Sequence, residues 1–254
     1  MSNFESQQRM NLPSVGNGVR KLMIIFVSAQ VFFLLITRWN FLGSSGALLA
    51  VENLPLYAGL PDGGGPLSGR FWQVFTYMWI HDTESIMHLA FNLIILYFFG
   101  PLFERSWGTR DFLRFFILCG IGGGVFTTIL SEIFPGMFGA VVVGSSAAML
   151  GLIVAFSMRF PDEEILLFFI LPIKGRLIVP ITLVVDLLVR LSGSPVAIAA
   201  HWGGMLTAYL LLTGNWRPWK LRRALTSLKT PRKKKVVFDV LDGGKGKKDD
   251  KWIN

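Results

Sequence analysis

Apolar residues in this chain gather in blocks that carry little charge, and most of the charged side chains fall in the connections between the blocks. Several blocks approach the roughly 17–25 residues with which a helix crosses a hydrocarbon core. They predict spanning helices at about 21–38, 85–103, 112–133, 146–159, 176–191 and 197–214, and hence an all-α membrane protein built as a six-transmembrane-helix bundle. The organisation that follows is an N-terminal segment over 1–20, a membrane domain over 21–214 and a basic, flexible tail over 215–254. The long connection from Trp39 to His81 holds Pro61, Gly63, Gly64, Gly65 and Pro66, followed by Phe71, Trp72, Phe75, Tyr77 and Trp79, a composition that suits the outer membrane interface. Between the fourth and fifth spans, Ile165 to Pro172 is apolar but too short to cross, and an irregular connection is expected there. The tail is basic after Lys229 and then Gly/Lys/Asp-rich from Gly243 to Lys251, with too few apolar residues for a core.

Charge orients this bundle. With six spans both termini lie on one side, and that side collects Arg20, Lys21, Arg105, Arg110, Arg114, Arg159, Lys174, Arg176, Arg217, Lys220, Arg222 and Arg223. The other side collects only Arg38, Arg70 and Arg190, so the positive-inside rule places both termini in the cytoplasm. The net charge of +9 is accounted for by this topology and by the tail, not by a nucleic-acid surface, since no basic patch is interleaved with aromatics. Composition agrees, with 52% hydrophobic residues and a mean hydropathy of +0.52. The single cysteine, Cys119, excludes an internal disulfide and a thiolate metal site. No small-residue cleavage signal follows the first span, which is expected to stay in the mature protein.

Polar side chains inside spans are costly and therefore candidates for function. Here they are His88 and Asn92, Ser145 and Ser146, Asp186, and His201. His88 and Asn92 are four apart on one helix face, Ser146 begins the fourth span behind Gly144, and His201 lies near the start of the sixth. Spans two, four and six run in the same direction, so these residues share one depth in the outer third of the membrane. A serine, a histidine and a His/Asn pair at one level form an acyl-transfer site in outline. Ser146 would attack a carbonyl, His201 would take its proton, and His88, Asn92 and the Ser146 backbone N–H would receive the oxyanion. Taken singly, each has a plainer reading: Ser145 and Ser146 as small packing residues, His88 and Asn92 as an interhelical hydrogen bond, His201 as a structural histidine. Ala147, Gly151 and Ala155 in the fourth span, with Ala197, Gly204 and Ala208 in the sixth, would let those helices approach closely. For the pair to meet, Ser146 must sit in or just before the first turn, and Gly144 allows the chain to lead into it.

Three segments, Gly144-Ser145-Ser146-Ala147, His88-Leu89-Ala90-Phe91-Asn92 and His201-Trp202-Gly203-Gly204 through Ala208, resemble in chain order the GxSG, HxxxN and HxxGxxxG patterns of rhomboid proteases. Gly100 to Gly108, with Glu104 and Arg105, is similar to the end of that family's second span, and Phe71-Trp72-Gln73 sits where a Trp-Arg pair is common. The resemblance implies a rhomboid-like bundle that cuts transmembrane segments near the outer membrane face. It makes Ser146 the nucleophile, His201 the base, and His88 and Asn92 the oxyanion partners, with no acidic third member. It departs at Ala147 and Ala208, where the family has glycine, at Gln73, and at Leu150, where an aromatic often packs on the catalytic histidine. Asp186, with Arg190 four residues on, reads as a structural ion pair. No cofactor and no metal are expected: HExxH is missing, and His81, Glu84 and His88 make a weak set. The partners implied are membrane-protein substrates and the bilayer, with a bacterial inner membrane as the setting. The competing reading is an inactive, client-binding member of the same family, though such proteins typically lack the serine or the histidine, and both are present here.

Overall fold

The computed structural model describes residues 15–39, 41–59, 64–167, 171–192 and 197–214. Most of the N-terminal segment and the whole of the tail predicted over 215–254 lie outside the described residues. Helix α1 is Asn17–Thr37, followed by α2 (Gly43–Asn53), strand β1 (Leu56–Ala58) and the short α3 (Gln73–Thr76). Then come α4 (Ile86–Trp107), α5 (Thr109–Ile133), α6 (Pro135–Phe138), strand β2 (Ala140–Val142) and α7 (Ser146–Arg159). Strands β3 (Glu164–Leu167) and β4 (Leu171–Lys174) precede α8 (Gly175–Leu191) and α9 (Ile198–Thr213). The six apolar blocks of the sequence are thus α1, α4, α5, α7, α8 and α9, with ends that agree to within about one turn.

Three of these, α1, α4 and α5, are long and apolar enough to cross a membrane by length and composition. Helices α7 and α9 are apolar but shorter, at 14 and 16 residues. The burial pattern sorts the helices by position. Every residue of α7 from Ala147 to Phe156 is buried, which makes it the centre of the bundle. Helices α1, α4 and α8 instead turn large apolar side chains outward, among them Ile24, Phe32, Phe98, Val184 and Leu188. An exterior this apolar has no place in water and suits hydrocarbon.

Close approach among α5, α7 and α9 is made by glycine. A Cβ built on Gly204 of α9 would overlap the carbonyl of Ala147 in α7, and one on Gly203 would lie 2.9 Å from the Gly122 carbonyl oxygen and 3.0 Å from Gly123 Cα in α5. Gly123 gives room to the Ala147 methyl, which would stand 2.6 Å from a Cβ placed there. The alanine that replaces the family's glycine at 147 is therefore accommodated from across the interface. Gly151 meets Cys119 of α5 in the same way, with 2.8 Å from its built Cβ to Sγ.

Two antiparallel strand pairings organise the connections. Strand β1 pairs antiparallel with β2, Leu56 opposite Val142 and Ala58 opposite Ala140, and so ties the long first connection to the segment just before Ser146. That connection is stapled further by Gln73, whose fully buried amide donates to the carbonyls of Glu52 (3.1 Å) and Gly64 (3.0 Å) and accepts from the Tyr57 N–H (3.2 Å). The stretch expected to be irregular forms β3 and β4 instead, with Glu164 opposite Lys174 and Ile165 opposite Ile173. Pro172 cannot donate to a ladder, but a two-stranded ribbon leaves each strand an open edge where that costs nothing.

The N-terminus of α1 is held by α4. Both oxygens of Glu104 accept backbone N–H groups there, from Gly18 at 2.6 Å and Val19 at 2.9 Å, while Thr109 Oγ1 donates to Oε1 at 2.6 Å. Gly16 and Gly18 leave space for the carboxylate, which satisfies donors that a helix start otherwise orphans. Replacing Glu104 by alanine leaves those donors buried and unpaired, and should lower the unfolding free energy by about 1–3 kcal/mol. Thermal unfolding in detergent, compared with wild type, measures it; an unchanged transition would show that α1 is anchored by packing alone.

Candidate active site

The chain leads into α7 through a constrained turn. Gly144 has φ +106°, a region that favours glycine, and its N–H donates to the Tyr77 carbonyl at 2.9 Å. A Cβ there would also lie 2.6 Å from both Cε1 and Nε2 of His88. Position 144 must therefore be glycine on two grounds, backbone angle and the approach of His88. Two residues later Ser146 is the first residue of α7, as the small-residue stripes require if the serine is to face α9.

At that point Ser146 Oγ lies 2.9 Å from His201 Nε2. His201 sits in the first turn of α9, and its other ring nitrogen, Nδ1, lies 3.0 Å from both carboxylate oxygens of Asp186 on α8. The expected Asp186–Arg190 pair does not form. Arg190 has a long stem and donates to the Met137 carbonyl at 2.9 Å, whereas the short Asp186 side chain reaches only the facing helix. Asn92 is buried on α4 and its amide donates to the His88 carbonyl at 2.7 Å. Ser146, His201, His88, Asn92, Asp186 and Leu150 all line one cavity of about 570 Å³, walled by β2 and by side chains of α4 and α8. The residues predicted to share one level are thus brought to one cavity.

Three residues take contacts that the sequence pattern does not give them. Asp186, a candidate by its place in the fifth apolar block, pairs with His201 and not with Arg190. His81 and Gln30 form a pair that no motif marks. His81 is almost fully buried behind the turn, with Nε2 3.2 Å from Ser145 Oγ and accepting the Ser145 N–H at 3.4 Å. Its backbone N–H donates to Gln30 Oε1 at 2.7 Å, and the Gln30 amide donates to the Asp82 carbonyl at 3.3 Å. Ser145, the variable position of the motif, is therefore held on the side away from the cavity. Glu84 does not approach His81 and His88 as a metal ligand would; it pairs with Arg38 at the surface.

An apolar helical bundle in which a serine at the start of the buried α7 meets a histidine of α9 inside a cavity is the architecture of an integral membrane protein. The family model for the Rhomboid domain matches residues 68–217, more than half of the chain, and the chain belongs to the rhomboid family. RHOMBOID-like protein 2 of Arabidopsis thaliana is 29% identical over 175 residues, 67% of this chain and 51% of that protein. Rhomboid protease GluP of Bacillus subtilis (strain 168) is 25% identical over 147 residues, 58% of this chain and 26% of that protein. RHOMBOID-like protein 4 of Arabidopsis thaliana is 30% identical over 141 residues, 55% of this chain and 33% of that protein. The chain spans about half or less of the length of these relatives.

Burial pushes the His81 imidazole down to about 3, and the facing His88 ring acts in the same direction. In the unfolded chain the same group protonates near 6.5. Between those values the unfolded state binds one more proton than the folded state, so this residue makes stability rise with pH across that window. Its contribution is complete above about pH 6.5 and is lost as pH falls towards 3, with a limiting slope of about 1.4 kcal/mol per pH unit. The check is the difference in unfolding free energy between wild type and His81→Gln, measured from pH 4 to 8. That difference should shift in favour of the variant as pH falls; a difference independent of pH would mean that His81 is not buried neutral.

Proposed function

We propose that this chain is an intramembrane serine endopeptidase that cuts transmembrane segments of other membrane proteins near the outer membrane face. The observation that carries the reading is the 2.9 Å contact between Ser146 Oγ and His201 Nε2 inside a cavity shared with His88 and Asn92. Family membership and relatives named as proteases support it. The domain plan that goes with it is an N-terminal segment over 1–20, six spans over 21–214 and a tail over 215–254, with both termini cytoplasmic in a bacterial inner membrane. The orientation rests on the count of Lys and Arg beside the spans, where Arg38, Arg70 and Arg190 alone fall on the outward side.

In this mechanism Ser146 Oγ attacks the scissile carbonyl carbon as its proton passes to His201 Nε2. The oxyanion receives the Ser146 backbone N–H, an orphan donor at the start of α7, together with donors from His88 and Asn92. Asn92 keeps a second amide hydrogen beyond the one committed to the His88 carbonyl. Collapse breaks the C–N bond, the proton on Nε2 goes to the leaving amine, and a water activated by the same nitrogen releases the acyl group. Because nucleophile and base act as a unit, Ser146→Ala and His201→Ala should each abolish cleavage of a reporter substrate while leaving the protein folded. Labelling of Ser146 by a fluorophosphonate should vanish with Ser146→Ala. Cleavage that survives in Ser146→Ala would overturn the assignment; a wild-type protein that binds membrane clients but neither cleaves nor labels would be the inactive member of the family.

Substrate choice follows from the same geometry. A carbonyl inside an intact helix is bonded along the ladder and shielded by side chains, so the substrate span must unwind before Ser146 reaches it. In lipid each freed backbone group costs several kcal/mol unless water or protein satisfies it. Gly is about 1 kcal/mol and Pro about 3 kcal/mol worse than Ala in a helix interior, so spans with Gly or Pro in the outer half should be preferred. The resemblance to the family adds a small residue just before the cut. Replacing such Gly and Pro residues by Leu in a cleaved reporter should slow initial cleavage about tenfold or more; equal rates across the series would remove unwinding as the limiting step.

A further inference from the structure

Asp186 belongs to none of the three motifs, yet of the two carboxylates that line the cavity, Asp82 and Asp186, it is the one within hydrogen-bond distance of His201. It is 7% exposed on a largely apolar helix, where an ionised group is costly unless something pairs with it. Its neighbours one turn away are committed elsewhere: Thr182 Oγ1 donates to the Ile178 carbonyl at 2.8 Å, and Arg190 donates to the Met137 carbonyl. The carboxylate is left to His201 Nδ1, on the far side of the ring from Ser146.

We propose that Asp186 is a positioning residue for the reaction, the acidic third member of a Ser146–His201–Asp186 relay. This rests on the reading of Ser146 and His201 as nucleophile and base. A carboxylate only accepts hydrogen bonds, so the imidazole beside it must carry its proton on Nδ1. That tautomer leaves the Nε2 lone pair facing Ser146 Oγ, which is the state a general base requires. When Nε2 takes the serine proton, the imidazolium finds its counter-charge already in place. Asp186 itself takes no proton, and the proton on Nε2 leaves with the amine. The same contact answers a departure in the sequence. Leu150 lines the cavity where the resemblance places an aromatic ring against the histidine, and an aliphatic side chain offers no ring face to hold an imidazole in plane. Two carboxylate oxygens at equal distance from Nδ1 fix the ring from its edge instead.

The experiment is Asp186→Asn, which keeps the shape and removes the charge. Turnover of a reporter substrate should fall by roughly 10²–10⁴ with KM within about threefold, and the rate of Ser146 labelling by a fluorophosphonate should fall in parallel. In a His201→Ala background the second substitution should add nothing to the loss of labelling. Wild-type turnover in Asp186→Asn, or a loss that adds to that of His201→Ala, overturns the proposal and leaves the serine–histidine pair standing. Loss of that pair would show separately, as cleavage surviving in Ser146→Ala. The chain has three histidines, so nitrogen-15 histidine labelling of the unmodified protein reads the tautomer directly, even if Asp186→Asn fails to fold. His201, assigned by its absence in His201→Gln, should carry its proton on Nδ1; a proton on Nε2 overturns the proposal.

Discussion

The contact on which the rest depends is the backbone approach of α7 to α9 at Ala147 and Gly204. A serine hydroxyl and an imidazole meet at 2.9 Å only if their helices come closer than ordinary side chains allow, and the helix that meets the Ala147 carbonyl has no Cβ to keep it away. In lipid there is little hydrophobic force to press two helices together, so dispersion at such a seam must do the work. Helix α5 completes it from behind. Its Gly122 and Gly123 take Gly203, and its Gly123 takes the Ala147 methyl, so three helices share one seam of small residues.

That seam fixes where α7 lies but not how its first residue is aimed, and here the polar contacts take over. The turn before Ser146 is held on one side by Gly144, fitted against His88, and on the other by Ser145, hydrogen-bonded to His81. Gln30 then ties the His81 backbone to α1, two-thirds of the way along the first long helix. Within this buried polar chain His81 is held through Nε2 and its backbone N–H, while its Nδ1 has no hydrogen-bond partner among the described residues. The strand pair β1–β2 adds a backbone constraint on the same segment, so the nucleophile is aimed by three independent attachments that reach α1, α4 and the long first connection.

Much of this was legible because membrane helices obey few rules strictly. Block length and low charge mark the six helices, and the common direction expected of spans two, four and six puts Ser146, His201, His88 and Asn92 at one level. What sequence pattern could not supply is azimuth. Asp186 and Arg190 are four apart and formally on one face, which made an ion pair the natural reading; only the packing of α8 shows that a short carboxylate and a long guanidinium end at different partners. The glycines of α5 were unread for the same reason, since a run of Gly-rich positions does not say which helix will meet it. The pairing of β3 with β4 has no signature in the sequence, because an eight-residue apolar stretch bounded by prolines carries no period long enough to identify.

Helix length bears on how such a site works inside a membrane. Helix α7 has 14 residues, so it is about 21 Å long, and α9 with 16 is about 24 Å, against a hydrocarbon core of about 30 Å. On the proposed topology their N-terminal ends therefore begin below the level at which lipid headgroups start. The orphan N–H groups at the start of α7 and the polar cluster around them need water or each other, and lipid supplies neither. The cavity of about 570 Å³ in front of Ser146 is large enough to hold water at that depth. Shortness in the two helices that carry Ser146 and His201 is thus what would reconcile the proposed hydrolysis with the bilayer. A full-length α7 would raise Ser146 to the surface, where a substrate span is no longer presented, and a cavity without water would leave the acyl group with nothing to release it.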